Sequence, residues 1–362
     1  MAISLTPNKT PLSDNARAAI LAEPGFGKYF TDNMVTATWS FSSGWSELRL
    51  VPYGPLSLDP ATMVLHYGQE IFEGLKAYRQ PDGGIALFRP EQNAQRFARS
   101  ATRLALPALP EKLFIESVNA LVNQDRDWVP TEADESLYLR PMMIATEVGL
   151  GVRPSNRAEY VLIASPAGTY FKGGVRPVTV WITTDYVRAA PGGTGEAKCG
   201  GNYAASLLAQ QSAAAQGCDQ VVWLDAVHRE YVEEMGGMNL YFVMGQGPSA
   251  RVVTPKLTGT LLAGITRDSL LTLAADLGYG VGEISITVDE WRKGVADGEI
   301  SEVFACGTAA VITPVGAVKS GTDDWIHGSG ESGPIALQLR AALLGIQSGI
   351  LPDEHGWMAR VS

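Results

Sequence analysis

Lys198 lies in the run Gly192-Gly-Thr-Gly-Glu-Ala-Lys198-Cys-Gly-Gly-Asn-Tyr203. Glycine lets backbone and ligand approach closely. A lysine confined in a pocket loses proton affinity and becomes a nucleophilic amine. Tyr203, five residues on, adds a phenol. An amine and a phenol in a glycine-rich turn suit covalent capture of an aldehyde cofactor. Taken alone, the run fits a solvated surface loop equally well.

Other residues carry chemistry by type and spacing. Glu233 and Glu234 are adjacent, so on a strand they point to opposite faces and only one can serve a given site. Tyr138 and Arg140 are two apart, which on a strand places phenol and guanidinium on one face, a pairing suited to a carboxylate. Arg96 follows Arg89-Pro-Glu-Gln-Asn-Ala-Gln, with Arg99 and Arg103 as rival cations further along. Gly264-Ile265-Thr266 opens a predicted helix, whose free amides and positive dipole end favour an anion. Thr308 after Gly307 offers a further hydroxyl, although a lone threonine is more often a cap or turn residue.

The elements that position these groups follow from periodicity and punctuation. The first forty-five residues read as irregular. Met63–His66 and Ile85–Phe88 read as strands. Helices are predicted over Glu91–Leu104 and Lys112–Gln124, the second with apolar residues along one face. Leu137–Ile144, Glu159–Ala164, Val178–Thr183, Gln220–Leu224, Met238–Met244, Arg251–Thr254, Val303–Cys306 and Ala309–Pro314 are predicted strands. Asn202–Gln216 is predicted as one alanine-rich helix stopped by Gly217. Thr266–Leu277 and Pro334–Ser348 are further predicted helices, and Thr287-Val-Asp-Glu290 reads as a capping box starting another. The glycines of Gly168–Arg176 mark a linker. The expected division is a small N-terminal domain over 1–170, a linker over 171–182 and a larger C-terminal domain over 183–362. The mixed order of elements predicts an α+β architecture.

Bulk properties narrow the function classes. A chain of 362 residues is long for a single core. With 28 basic and 38 acidic residues the net charge is −10, which argues against a dedicated nucleic-acid or anionic-membrane surface. No apolar run approaches a membrane span, and the first residues lack the pattern of a signal peptide. Cys199, Cys218 and Cys306 have neither metal nor disulfide spacing. A cytoplasmic protein without a metal is expected. No G-x-G-x-x-G fingerprint follows a strand and opens a helix, which weighs against a nicotinamide dehydrogenase.

The lysine run resembles the cofactor-lysine segment of the branched-chain aminotransferases, fold-type-IV enzymes that use pyridoxal 5'-phosphate. Similar segments occur in one collinear order from Phe26-Gly-Lys-Tyr-Phe30 to Phe304-Ala-Cys-Gly-Thr308-Ala309. They include Leu65-His-Tyr67, Phe72-Glu-Gly-Leu-Lys-Ala-Tyr78, Phe88-Arg-Pro, Ser136-Leu-Tyr138-Leu-Arg140-Pro, Gly168-Thr-Tyr170-Phe, Glu234-Met-Gly-Gly-Met-Asn239 and Thr254-Pro. The resemblance implies a two-domain fold with the active site at the domain interface. It implies that Lys198 is the Schiff-base lysine and general acid–base. Tyr203 is implied near the cofactor's phenolic oxygen, and Glu234, rather than Glu233, at its pyridine nitrogen. Arg96, Gly264, Ile265, Thr266, Gly307 and Thr308 are implied around its phosphate. Phe30, Tyr67, Tyr138, Arg140, Tyr170, Gly237, Thr308 and Ala309 match substrate-pocket positions. Leu150 and Val152 match a loop lent to the partner subunit's site, so a homodimer is implied. The implied reaction moves an amino group between leucine, isoleucine or valine and 2-oxoglutarate. D-Amino-acid aminotransferases and aminodeoxychorismate lyases share the lysine and glutamate. The Tyr138-Leu-Arg140 pair and the Gly-Gly-Asn-Tyr203 run favour the branched-chain group. A catalytically dead binding protein on the same scaffold would not need Lys198, Glu234 and Arg96 together.

Two positions depart from relatives. Mammalian members carry Cys-x-x-Cys where this chain has Ala310 and Thr313, so no thiol switch of that type is expected. Gly237 stands where some relatives have threonine.

Overall fold

A computed structural model describes residues 3–132, 134–168, 175–321 and 323–362. The chain divides into two compact units. One comprises Met1–Tyr170, Ala197–Gly200 and Leu344–Ser362, and the other Phe171–Glu196 and Gly201–Leu343. Both combine sheet and helix, so the architecture is α+β. This division differs from the sequence boundaries: Ala197–Gly200 and Leu344–Ser362 group with the first unit although both lie after 182. Residues 171–174 of the expected linker lie outside the described residues, and its end is the strand Val178–Ile182.

In the first unit the main sheet path runs Ser4–Leu5, Arg49–Pro52, Asn33–Ser40, Arg157–Ala167, Ser136–Ala145, Leu75–Arg79, Ile85–Phe88, Met358–Arg360. The strand Asn33–Ser40 corrects the irregular reading of the first forty-five residues. It buries Asn33, Met34 and Val35 in succession and then Ala37, so no alternating pattern stands out in sequence. Met63–Tyr67 is a short helix closed by Gly68 in the left-handed region at φ 58°, not a strand. Short apolar runs of that length do not separate helix from strand.

Two helices, Pro90–Arg103 and Glu111–Gln124, close the core of this unit. The first buries Asn93, Ala94, Arg96, Phe97, Ser100 and Ala101, the spacing of one helical face. Phe97 packs edge-on against Tyr160, whose hydroxyl lies 2.8 Å from Ser117 Oγ. Polar Arg96 and Ser100 therefore share a face with core residues. Burying such groups needs partners, and this is the face that carries the site.

In the second unit six strands close on themselves. Val178–Ile182 pairs with Gln220–Leu224, which pairs with Val232–Met235, then Met238–Met244, Ile300–Gly307, Val311–Lys319 and back to Val178–Ile182. Arg251–Pro255 and Gly280–Ile284 extend this sheet from Met238–Met244. Closure removes open edges. Trp291, Phe242 and Val303 belong to the packed interior. The segment read as one alanine-rich helix is two, Gly200–Ala204 and Leu207–Ala215. The break falls beside Ser206, whose hydroxyl bonds the Tyr203 carbonyl at 2.6 Å. Serine competes with the helix for backbone groups in this way. The capping box at Thr287 and Glu290 is formed as the spacing predicts.

Candidate active site

In the first unit, Lys198 is held through its backbone. Its N–H donates to Ser100 Oγ at 3.0 Å, and its carbonyl accepts from the Phe72 N–H at 3.0 Å. The Gly200 N–H donates to Glu70, and a Cβ at position 200 would collide with that carboxylate. Glycine is thus required beside the lysine. Burial pushes the Glu70 carboxyl up, opposed by the Gly200 N–H and the Arg140 charge. The Lys198 amine Nζ lies 5.0 Å from the centroid of the Phe72 ring. The guanidinium of Arg140 lies 4.7 Å from the same centroid. Such cation–ring contacts hold both cations at one aromatic ring.

Arg140 also donates to Tyr138 Oη at 2.9 Å. Both side chains come from the strand Ser136–Ala145, on the face that the two-residue spacing predicts. Gly74 makes room for the phenol, since a Cβ there would collide with Tyr138 Oη. Among the described residues, Arg140 Nε is buried with no hydrogen-bond partner. A buried donor in that state favours an anionic ligand.

Arg96 is buried, while Arg99 and Arg103 are exposed. Its Nε and Nη2 fork onto Glu73 at 2.6 and 2.9 Å. Glu73 also accepts from Asn93 Nδ2 at 2.8 Å and from the Gly74 N–H at 3.0 Å. Burial alone would push the Glu73 carboxyl up. The Arg96 charge and hydrogen bonds, with Lys198 and Asn93, hold it below the usual carboxylate range.

In the second unit, Glu233 and Glu234 lie on the strand Val232–Met235 with different partners. Glu234 Oε1 accepts from the Leu262 N–H at 2.7 Å and from Asn239 Nδ2 at 3.2 Å. Glu234 Oε2 is 3.0 Å from Arg188 Nε. Glu233 accepts from the Thr260 hydroxyl, and its carboxyl is pushed up, chiefly by burial. The strand turns at Gly236, where φ is 57°, a conformation that suits glycine. The helix Ile265–Asp276 begins at Gly264, which has no side chain to cap the first amides. A Cβ at Gly264 would collide with Asn239 Oδ1. Thr266 in its first turn is buried. Thr308 and Ala309, half-buried, lie in the turn between the strands Ile300–Gly307 and Val311–Lys319.

Residues 70–318 match the family model described as amino-transferase class IV. A branched-chain-amino-acid aminotransferase of Mycolicibacterium smegmatis is 61% identical over 360 residues, covering 99% of this chain and 98% of that protein. The chain belongs to the branched-chain-amino-acid aminotransferases of class IV. The solved Escherichia coli member is 29% identical with a TM-score of 0.73, covering 90% of this chain and 99% of that one. The T.th. member, solved with pyridoxamine 5'-phosphate, is 31% identical with a TM-score of 0.72, covering 90% and 98%. That protein has also been solved with N-(5'-phosphopyridoxyl)-L-glutamate and with 4-methylvaleric acid.

The cofactor of this aminotransferase is pyridoxal phosphate, and the residues present fit it. The glycine start of Ile265–Asp276 offers the helix's first amides and positive dipole end to an anion such as phosphate. Glu234 among three donors is a stabilised carboxylate. Lys198, in the first unit, carries a primary amine of the kind an aldehyde cofactor takes. Among the expected substrate residues, Phe30 stacks on Tyr53 at 5.1 Å between centroids. Tyr67 donates to the Leu150 carbonyl at 2.5 Å. Gly237 is exposed, and a Cβ there would sit 3.3 Å from the Tyr203 ring, so the missing side chain makes room for that tyrosine. Tyr170 lies outside the described residues.

Sequence reading missed Glu73, Glu70, Ser100, Asn239 and Arg188. Glu73 sits inside a segment that carries the family resemblance, and Ser100 follows Arg96 at i+4. Those were available signals. Arg188, followed by Ala-Ala-Pro, has none.

Proposed function

We propose that this aminotransferase transfers the amino group reversibly between leucine, isoleucine or valine and 2-oxoglutarate. The observation that carries the reading is the shared Phe72 ring. It brings a primary amine and a guanidinium suited to a carboxylate to one aromatic ring. A substrate carboxylate on Arg140 and Tyr138 then sets its α-carbon within the compass of Lys198. The phosphopyridoxyl-glutamate and 4-methylvaleric acid carried by the T.th. relative span the acidic and branched apolar substrates this reaction needs.

Pyridoxal phosphate, when bound, supplies an electron sink for charge developing at the substrate's α-carbon. Lys198 anchors it and moves the proton on and off that carbon through Nζ. Glu234 holds the proton of the pyridine nitrogen, and Tyr203 donates to the phenolic oxygen. Arg96, the amides of Gly264, Ile265 and Thr266, and Gly307 with the Thr308 hydroxyl neutralise the phosphate. Phe30, Tyr67, Tyr170, Gly237 and Ala309 line the substrate pocket.

The functional unit is a homodimer. Support comes from exposed apolar side chains on the first unit: Leu150 is 64% exposed and Val152 84%, and the Leu150 carbonyl accepts from the hydroxyl of exposed Tyr67. Free Cys199, Cys218 and Cys306, all buried, fit a reducing cytoplasm. Among the described residues no helix is long and apolar enough to cross a membrane.

The test is a panel of amino donors against 2-oxoglutarate with purified protein. Turnover of leucine, isoleucine and valine, lost in Lys198→Ala together with the visible cofactor band, is expected. Preference for D-amino acids, or release of pyruvate from aminodeoxychorismate, would overturn the reading.

A further inference from the structure

Arg188 is buried in the second unit and bonded on several sides. Its Nε faces Glu234 Oε2 at 3.0 Å. Its Nη1 donates to the Thr260 carbonyl at 2.8 Å, and Nη1 and Nη2 reach the Gly195 carbonyl at 3.4 and 3.3 Å. One guanidinium therefore joins three stretches of chain: the strand bearing Glu234, the glycine-rich loop ending at Glu196, and the loop that leads into Gly264. The close approach of the two loops is built in. A Cβ at Gly195 would collide with the Thr260 carbonyl.

We propose that Arg188 is a positioning residue for transamination, acting through Glu234. It keeps that buried carboxylate ionised and in one orientation, so that Glu234 retains the proton on the cofactor's pyridine nitrogen. The inference rests on the assignment of Glu234 to that nitrogen. The physical reason is the cost of an unpaired charge. Glu234 is 2% exposed. A carboxylate buried that deeply is ionised only where donors and an opposite charge replace water. Leu262 and Asn239 provide neutral donors, and Arg188 brings the compensating charge. A protonated Glu234 cannot hold the pyridine proton as an anion does. The planar fork also reaches several acceptors at once, which a lysine ammonium on a flexible stem does not.

The experiment binds ring-15N-labelled pyridoxamine phosphate to purified protein and reads the pyridine 15N shift, without turnover. Wild type is expected at the protonated position. Glu234→Gln is expected to move the signal toward the deprotonated position, and so is Arg188→Gln. The double variant Arg188→Gln, Glu234→Gln should move it no further than Glu234→Gln alone, because the two act through one carboxylate. Arg188→Lys, which keeps the charge, is expected in between, and Arg188→Met, which keeps the stem without the charge, stands in if Arg188→Gln does not fold. In kinetics, kcat should fall about 10- to 100-fold for Arg188→Gln with a smaller change in KM, the range seen when an outer partner of a ligating side chain is removed. A wild-type 15N shift in Arg188→Gln, or in Arg188→Met where that variant stands in, would show that the arginine only ties loops together and would overturn the inference. A wild-type shift in Glu234→Gln would instead overturn the assignment of Glu234.

Discussion

Arg96 and Glu73 form a two-pronged ion pair inside the first unit, with Nε–Oε1 at 2.6 Å and Nη2–Oε2 at 2.9 Å. The side chains are 5% and 0% exposed. The pair comes from a helix face that otherwise packs as core. Its fork gives the arginine one orientation, which a phosphate contact requires and a solvated arginine lacks. Removing one partner of such a buried pair costs about 3–5 kcal/mol. Glu73→Ala should lose about that much in urea denaturation of the apoprotein, and Glu73→Gln less. Because the Glu73 pKa is depressed on folding, its stabilisation is complete above the ordinary carboxylate value. It disappears as pH falls through the lower folded value. A wild-type midpoint in Glu73→Ala would refute the structural weight given to this pair.

Glu234 and Glu233 should separate cleanly on mutation. Glu234→Gln is expected to slow turnover about 10²-fold or more, as removal of a placed electrostatic group does, while cofactor stays bound. Glu233→Gln should stay near wild type, because its carboxyl is held by the Thr260 hydroxyl rather than by the Leu262 and Asn239 donors of Glu234. Stopped-flow half-reactions with leucine would measure both. The reverse ranking would mean that the wrong neighbour has been assigned.

Gly264 is required for its lack of a Cβ. Gly264→Ala should displace Asn239, which bonds Glu234 Oε1 at 3.2 Å and the Leu262 carbonyl at 3.0 Å. Leaving such buried groups unpaired costs about 1–3 kcal/mol. The variant should melt lower and release cofactor faster on dialysis. Unchanged melting and retention would contradict the packing described.

His327 makes stability depend on pH. It is buried, accepts from Trp291 Nε1 at 3.1 Å, and burial lowers its pKa from 6.5 to about 4. Its neutral form is favoured on folding. The contribution is therefore complete above pH 6.5 and is lost as pH falls from 6.5 toward 4. The span amounts to roughly 3 kcal/mol. His327→Gln should flatten the fall in melting temperature over that window. An equally steep fall in the variant would assign the effect to other groups.

Subunit exchange tests the proposed dimer. A Lys198→Ala protomer mixed with one carrying Tyr67→Ala, Leu150→Ala and Val152→Ala should regain activity, since one of the two sites then collects both defects and the other neither. Heterodimers that form yet stay inactive would place those residues at their own subunit's site or at none.

The candidate site residues were legible because their types and local spacing are unusual. A lysine among glycines, a tyrosine and arginine two apart, and a helix opening on glycine each announce a local geometry. The collinear order of such segments identified the family. Spacing also placed Tyr138 and Arg140 on one strand face, as the Oη contact at 2.9 Å bears out. Local pattern did not choose among Arg96, Arg99 and Arg103. Burial against Glu73, from a different segment, distinguishes Arg96. The same holds for Arg188, whose partners Gly195, Thr260 and Glu234 lie 7, 72 and 46 residues away. A buried charge is defined by what compensates it. When the compensating groups come from distant segments, only the folded chain brings them together.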